Sequence, residues 1–353
     1  MTPRGTDWSL ALGMAVLGAT GVLTLFAGSA GSAWVFSVHS AAGFALLLLL
    51  WWKLRRVLRR LVDPRRWDRR TGAGAAAALL VAVALGSGVA WSSGANVAVG
   101  GYRLLAWHEA LGAGLVFAVA AHMAFRAKRP RRRDVAGRRE LLRLAAVTAG
   151  GAVAWRLHRP LAALLGLPGA RRRCTGSYES ASFEGNAFPA TSWVADNPKP
   201  LDQEAYRVRV DGLVRSPQVL RVRELDLGHV LVATLDCTGG FYSTQRWSGI
   251  RLDSLLARAD PLPRARHVRL VSETGYRWSF DLADARELLL ATRVGGEPLS
   301  HDHGAPVRLV APGRRGFQWV KWIARVELHD EPDYGAPAST VWSSFTPAGR
   351  GRA

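Results

Sequence analysis

Cys237 stands in the stretch Leu235-Asp236-Cys237-Thr238-Gly239-Gly240, a thiol that closes a strand-like segment and opens a glycine-rich loop. This sets a soft ligand at a point with room above it. A lone cysteine is more often an inert packed residue. No His or Asp/Asn constellation is placed to activate the thiol, which excludes a protease-type nucleophile. A second set of chemistry-bearing residues lies far upstream. His39-Ser40-Ala41-Ala42-Gly43 and His108-Glu109-Ala110-Leu111-Gly112 are two HxxxG elements 69 residues apart (108 − 39). Thr20-Gly21-Val22 precedes the first and Ser87-Gly88-Val89 the second, so this region reads as an internal repeat. Two imidazoles at matched depth on neighbouring helices suit axial ligation of a haem iron, with Gly43 and Gly112 leaving room for a flat macrocycle. Hydrogen-bonded packing histidines and a quinone-site histidine are the other readings.

The elements that carry these histidines are long and apolar. Segments at 8–28, 34–52, 73–92, 104–125 and 141–157 each approach the ~20 residues that cross a bilayer. The runs Phe44–Trp52 and Ala75–Leu85 have no polar face, unlike a soluble core helix. Residues 1–173 hold 25 Lys+Arg against 6 Asp+Glu (+19), and residues 174–353 hold 22 against 21 (+1). Basic clusters alternating with apolar runs mark a membrane protein and exclude a nucleic-acid binder. The 53–70 and 126–143 loops carry nine Lys/Arg each, while 28–36 has none and 92–103 only Arg103. Basic loops stay in the cytoplasm, so the N-terminus is expected inside and the chain from residue 158 outside, on a multi-pass protein of the cell membrane. Arg138-Arg139 ahead of Glu140-Leu141-Leu142-Arg143-Leu144 resembles an internal twin-arginine export signal, or is an ordinary basic stop before a helix. Trp34, Trp51, Trp52, Trp91 and Trp107 at helix ends fit an interfacial belt.

The expected organisation is a four-helix membrane bundle over 1–130, a basic loop and fifth helix over 131–170, and an extracytoplasmic domain over 171–353. The last part shows short alternating segments at Tyr206–Val210, His229–Leu235, His267–Val271, Pro306–Val310 and Val320–Leu328. Helices are expected at Leu252–Arg258 and Leu282–Leu290, in an α+β, β-rich domain. Two cysteines exclude a disulfide framework, and Cys174 has no assigned role. His158, His229, His267, His301 and His329 show no metal-ligand spacing.

The first half resembles the four-helix di-haem cytochrome b subunits that anchor periplasmic formate dehydrogenases and nickel–iron hydrogenases. Fourteen residues, about 21 Å of helix, separate stacked haems in such bundles, and that step leads from His108 to His122 but from His39 to Lys53. One haem b at His39 and His108 is therefore expected, with the inner position at Lys53/His122 broken, Lys53 directed to lipid headgroups, and Met14 only a nominal substitute.

The second half resembles the sulfite-oxidase family of molybdopterin enzymes. The blocks are Cys237 with its glycine turn, Arg246-Trp247-Ser248-Gly249 through Leu256 read as a helix start, His303-Gly304-Ala305-Pro306-Val307-Arg308-Leu309-Val310-Ala311-Pro312-Gly313, and Gly316-Phe317-Gln318-Trp319-Val320-Lys321-Trp322. Gly185-Asn186-Ala187-Phe188 is similar to the family's pterin-contacting Asn/aromatic element. The resemblance implies molybdenum on the Cys237 thiolate. It implies the pyranopterin held by Asn186, Phe188, Thr274 or Ser272, His303, Arg308, Gly316, Phe317, Gln318 and Lys321, with His303 and Arg308 gripping its phosphate and ring edge. Taken alone, Arg308 and Lys321 would read as ordinary strand surface. Two departures stand out. Phe241-Tyr242 stands where the family has the arginine pair that binds sulfite, and no dimerisation domain is expected after Trp342. Both bring the chain nearer the bacterial periplasmic branch of the family that reduces methionine sulfoxide in proteins. The expectation is two-electron oxygen-atom transfer, read as reduction of a small or protein-bound S- or N-oxide with electrons from the quinol pool. The alternatives are an oxidase passing electrons to quinone and a non-catalytic haem module.

Overall fold

A computed structural model of the chain describes residues 2–63, 65, 67, 71–126, 131, 134, 137–191 and 198–336. The chain divides into two compact units, 1–27 with 31–176 and 28–30 with 177–353.

The first unit is helical: α1 (Pro3–Thr24), α2 (Trp34–Leu61), α3 (Thr71–Ser93), a two-residue hairpin of β1 (Ala98–Val99) and β2 (Tyr102–Arg103), α4 (Leu104–Arg126) and α5 (Arg138–Leu164). Thr2 caps α1 by accepting the Gly5 N–H on its hydroxyl, and Pro3 stands at the first helical position, where its missing N–H costs nothing. α1 packs on α2 and α4, α3 on α4, and α5 along α2. The α5 crossing is close. A Cβ on Gly151 would lie 2.5 Å from the Ala41 carbonyl oxygen, so only glycine admits that approach. Apolar stretches in α1 to α4 are long enough to cross a membrane: Pro3–Thr24, Ala30–Leu58, Ala76–Ser93 and Leu104–Ala121. The fifth expected span forms one 27-residue helix but is not among these four, because Arg143, Arg156 and Arg159 interrupt its apolar character.

The second unit is β-rich, with β3 (Tyr178–Glu179), β4 (Arg207–Gly212), β5 (Gln218–Arg221), β6 (His229–Asp236), β7 (Phe241–Arg251), β8 (His267–Ser272), β9 (Arg277–Asp281), β10 (Leu289–Val294), β11 (Glu297–Pro298), β12 (Arg308–Val310) and β13 (Ile323–His329). Short helices α6 (Val222–Leu225), α7 (Leu252–Ala259) and α8 (Leu282–Ala285) lie between them. One sheet is ordered β5-β4-β13-β8-β9, with β4 and β13 parallel. The other runs β11-β10-β7-β3, with β6 added on β7 and β12 on β10. Along β8 every second residue is buried, the period-2 signature of a strand with one face in the core.

Three of the five strand expectations hold closely, β12 begins only at Arg308 and β13 only at Ile323, and two helix expectations do not hold. Leu282–Leu290 stops as a helix at Ala285. Leu289 and Leu290 instead pair with Ile250 and Arg251 of β7 and with Leu309 and Val310 of β12, because a central strand buries both faces. Arg246–Arg251 is also strand, and α7 begins only at Leu252. The glycine of that block has a packing reason. A Cβ on Gly249 would sit 2.0 Å from the Leu290 carbonyl oxygen of the neighbouring strand.

Candidate functional site

Cys237 follows the last residue of β6 and begins the tight connection to β7. Its N–H donates to the Phe241 carbonyl and its carbonyl accepts from Gly240, at 2.9 and 3.0 Å. The thiol is buried and unpaired. Its sulfur accepts the Gly239 N–H at 3.3 Å and lies 3.2 Å from the Thr191 hydroxyl. Beside it runs the 3₁₀ turn Gly316–Gln318. A Cβ on Gly316 would approach Cys237 Cα to 2.9 Å, so glycine is what lets the turn lie against the cysteine.

A buried ion pair sets this approach. Arg315 donates to Asp236 Oδ1 at 2.6 Å and to the Cys237 carbonyl at 3.3 Å, and Asp236 also accepts from the Ser177 hydroxyl at 2.7 Å. Both charged side chains are nearly inaccessible, at 5% and 2% exposure. They tie the end of β6 to the 311–318 segment through a parallel bridge between Asp236 and Arg315.

Arg308 opens β12 fully inside the unit. Its guanidinium lies 5.0 Å from the Trp247 ring centre and 5.8 Å from Trp319, and it donates to the His303 carbonyl at 3.0 Å. Burial pulls its pKa down to about 9, and the neighbouring Cys237 acts in the opposite direction. Arg308 Nε is buried and has no hydrogen-bond partner among the described residues. A cation so placed is expensive unless an anion completes it.

His303 is braced rather than free. Its Nε2–H donates to the Phe188 carbonyl at 2.8 Å, since a carbonyl can only accept, and Nδ1 then accepts from the Ser300 hydroxyl at 2.7 Å. Burial, with Arg308 and Lys321 nearby, lowers its pKa to about 3, so the ring is neutral. In this arrangement both ring nitrogens are engaged by protein groups. Gly304, at φ +102°, turns the chain where a Cβ would meet Lys321 Cβ at 2.9 Å and Arg308 Cβ at 3.1 Å. Asn186 holds the same turn, donating to the Pro298 carbonyl and accepting the Ser300 N–H, each at 2.9 Å. Phe188 packs its ring on His303 at 3.9 Å. Lys321 donates to the carbonyls of Thr191, at 2.7 Å, and Asp302.

The structure thus gathers Cys237, Gly316, Arg308, His303, Asn186, Phe188 and Lys321 into one connected region. Phe317 and Gln318 belong to the turn, where the Tyr276 hydroxyl donates to the Phe317 carbonyl at 2.6 Å and Gln318 accepts the Arg315 N–H at 3.1 Å. Thr274 is exposed and bonded to the buried Ser272, 3.0 Å between hydroxyls, which puts Ser272 on the interior side of that turn. Asp236, Arg315, Ser177 and Thr191 are site residues that the sequence reading did not single out.

A second arrangement lies in the helical unit. The His39 and His108 rings stand 6.2 Å apart, at 89°. His39 Nδ1 lies 2.9 Å from the Thr20 hydroxyl. His108 Nδ1 lies 3.0 Å from the Ala84 carbonyl and 3.2 Å from the Ser87 hydroxyl. The small residues beside the rings are Gly21 and Gly88, not Gly43 and Gly112. A Cβ on Gly88 would touch His108 at 2.8 Å and one on Gly21 would meet His39 at 3.6 Å, while Gly43 and Gly112 face open space. Lys53 is paired with Asp7 of α1 rather than directed outward to headgroups. Met14 is core, buried with Leu46, Ala84 and Leu115. The His122 side chain lies outside the described residues.

In the β-rich unit a buried cysteine, a buried cation and a glycine turn converge. Residues 195–336 match the family described as "Oxidoreductase molybdopterin binding domain". Curated relatives share this part of the chain. Mitochondrial sulfite oxidase of Rattus norvegicus is 33% identical over 183 residues, covering 42% of this chain and 33% of that protein. The protein-methionine-sulfoxide reductase catalytic subunit MsrP of Gluconobacter oxydans is 32% identical over 186 residues, covering 46% and 56%. Nitrate reductase [NADPH] of Neurospora crassa is 32% identical over 191 residues, covering 42% and 19%. Residues 195–336 are thus similar to the molybdopterin-binding domain of these oxidoreductases, and the chain spans about a third of the length of the first of these relatives and just over half of the second.

Proposed function

We propose that the protein is a membrane-anchored molybdenum-cofactor oxidoreductase that reduces an S- or N-oxide, small or protein-bound, with electrons from quinol delivered through one haem b. The observation that carries the cofactor assignment is the fully buried Arg308 with its unpartnered Nε beside a free, buried Cys237. A soft thiolate suits a high-valent metal, and the unpaired cation suits the anionic pterin group that accompanies it. Cys237 would ligate molybdenum. Arg308 would pair with the pterin, and the backbone of Gly316–Gln318 would border it. His303, Asn186 and Phe188 would hold the 300–304 turn in place. When bound, the cofactor supplies two-electron oxygen-atom transfer. The chain's own contribution would be to position the ligating residue, with Arg315 bonded to Asp236 and to the Cys237 carbonyl.

The haem reading rests on the histidine pair. His39 and His108, with ring centres 6.2 Å apart, are the residues that would hold the iron. Both Nδ1 atoms are engaged by the protein, which leaves each Nε2 as the nitrogen that would take a metal. The Lys53–Asp7 pair supports a single haem. The reductive direction is supported by the loop after Cys237, where Phe241 is buried and Tyr242 half-buried and neither offers the cation that would hold sulfite. The lysine and arginine asymmetry supports an extracytoplasmic second unit in the cell membrane.

Molybdenum and haem quantitation on detergent-purified protein tests the reading. One of each per chain is expected, with quinol-reduced haem reoxidised by a sulfoxide or an amine oxide. Reduction of the haem by sulfite would reverse the direction, and the absence of molybdenum would remove the enzyme reading altogether.

A further inference from the structure

We propose that the Thr191 hydroxyl donates a hydrogen bond to the Cys237 sulfur and thereby raises the reduction potential of the metal bound there. This inference rests on the assignment of molybdenum to Cys237. Thr191 lies ahead of the segment 195–336 that matches the family, and its contact with the thiol brings an upstream residue to the cysteine. The Thr191 oxygen is 3.2 Å from the sulfur, and the Gly239 N–H reaches the same sulfur at 3.3 Å. A metal-bound thiolate carries no proton, so the hydroxyl has to be the donor.

Thr191 is held in place from two sides. The Lys321 ammonium donates to the Thr191 carbonyl at 2.7 Å and also to the Asp302 carbonyl, which ties Thr191 to the 300–304 turn. Gly239 lies against the threonine methyl. A Cβ built there would stand 3.5 Å from both Thr191 Cγ2 and Cys237 Sγ, so methyl, loop and sulfur are in one packed contact. The β-branched side chain keeps few rotamers, which holds the hydroxyl aimed at the sulfur. Lys321 therefore acts as the positioning residue for Thr191, a role separate from any charge it offers a phosphate.

Hydrogen bonds to a ligating sulfur draw electron density from the metal–sulfur bond and favour the reduced metal, as in blue-copper and iron–sulfur centres. Two donors on one sulfur suit a site that must accept electrons from a carrier before passing them to an oxide. The substitution Thr191→Val removes the hydroxyl and keeps the shape. Thr191→Ser keeps the hydroxyl and removes the methyl.

The test uses full-length, detergent-purified protein. Molybdenum content is measured for each variant, followed by a redox titration of the pentavalent-molybdenum EPR signal. Thr191→Val should retain molybdenum, shift the midpoint potential downward and change the EPR g-values, while Thr191→Ser stays close to the unsubstituted protein. An unchanged potential and spectrum in Thr191→Val would overturn the proposal. So would an equal shift in both variants, which would assign the effect to packing, or loss of molybdenum in Thr191→Val with retention in Thr191→Ser, which would make the hydroxyl a holding group. Absence of any molybdenum signal in the unsubstituted protein would instead strike the assignment on which the inference rests.

Discussion

The two units dispose their apolar side chains in opposite ways. In the β-rich unit Val208, Ile250, Leu270 and Val326 are fully buried, and the large apolar residues are drawn into one core. In the helical unit the buried cluster is small, built on Met14, Leu46, Ala84 and Leu115, while Leu12, Val22, Leu79 and Phe117 are 59–76% exposed. Water would sort these side chains inward. An outward apolar belt is stable where the surrounding medium is itself apolar, and there the polar groups have to be satisfied within the helices. His39 and His108 follow that rule, each paired with a hydroxyl from the preceding helix. The units also differ in how a site is made. The histidine pair comes from one short motif used twice. The cysteine site is collected from residues 177, 186–191, 236–239, 300–308 and 315–321, held together by sheet and turn.

This difference can be broken at the cysteine with the largest effect. Cys237→Ser should reduce oxide-dependent turnover to background while the haem absorbance stays unchanged, because the two sites lie in separate compact units. Turnover assays and optical spectra on one preparation check it. Substantial activity with molybdenum still bound would remove the metal-ligand role.

The reciprocal experiment is at the histidines. His39→Ala or His108→Ala should each abolish the low-spin bis-histidine spectrum and stop quinol-driven turnover, yet leave turnover with an artificial low-potential donor. His122→Ala should keep the spectrum. A haem-to-protein ratio near two would contradict the single-haem assignment.

The degree to which each site was legible in the sequence follows from the same contrast. The helices, the repeat and the histidine pair could be read locally, since a helix fixes depth by counting residues. The strands could be read from period-2 alternation, but Leu289-Leu290 could not, because a strand buried on both faces has no alternation. Cys237, Arg308 and Lys321 were legible through resemblance of their blocks. Asp236 and Arg315 were not, since a pair 79 positions apart in sequence becomes a pair only when β6 meets the 311–318 segment. Thr191 gave no local signal at all. His303 was found, but its two protein partners were not, because sequence shows a titratable ring and not the groups that occupy it.

A smaller effect sharpens the comparison through the buried pair. Arg315→Met leaves the Asp236 carboxylate without its cation in a dry environment, a change that costs about 3–5 kcal/mol in comparable buried pairs. The transition of the β-rich unit should fall sharply in calorimetry, while that of the helical unit stays in place. The double substitution Asp236→Leu/Arg315→Met removes both charges and should recover most of the loss. No recovery would mean that Arg315 acts chiefly through its bond to the Cys237 carbonyl.

The smallest effect concerns pH and His303. In the folded chain its pKa is depressed from 6.5 to about 3, first by burial and then by Arg308 and Lys321. Between these two values the unfolded chain binds a proton that the folded chain refuses. Stability from this residue is therefore complete above about pH 6.5 and declines as pH falls toward about 3, with a slope of at most about 1.4 kcal/mol per pH unit. Protonation would also place a donor on Nδ1, where the ring now accepts from Ser300, and would set a third positive charge beside Arg308 and Lys321. His303→Gln removes the titration. It should destabilise the β-rich unit at about pH 7.5 through loss of the two bonds, yet the gap to the unsubstituted protein should narrow at about pH 4.5. Thermal midpoints of both proteins at the two pH values measure this, and parallel pH profiles would show that His303 is not a neutral brace at all.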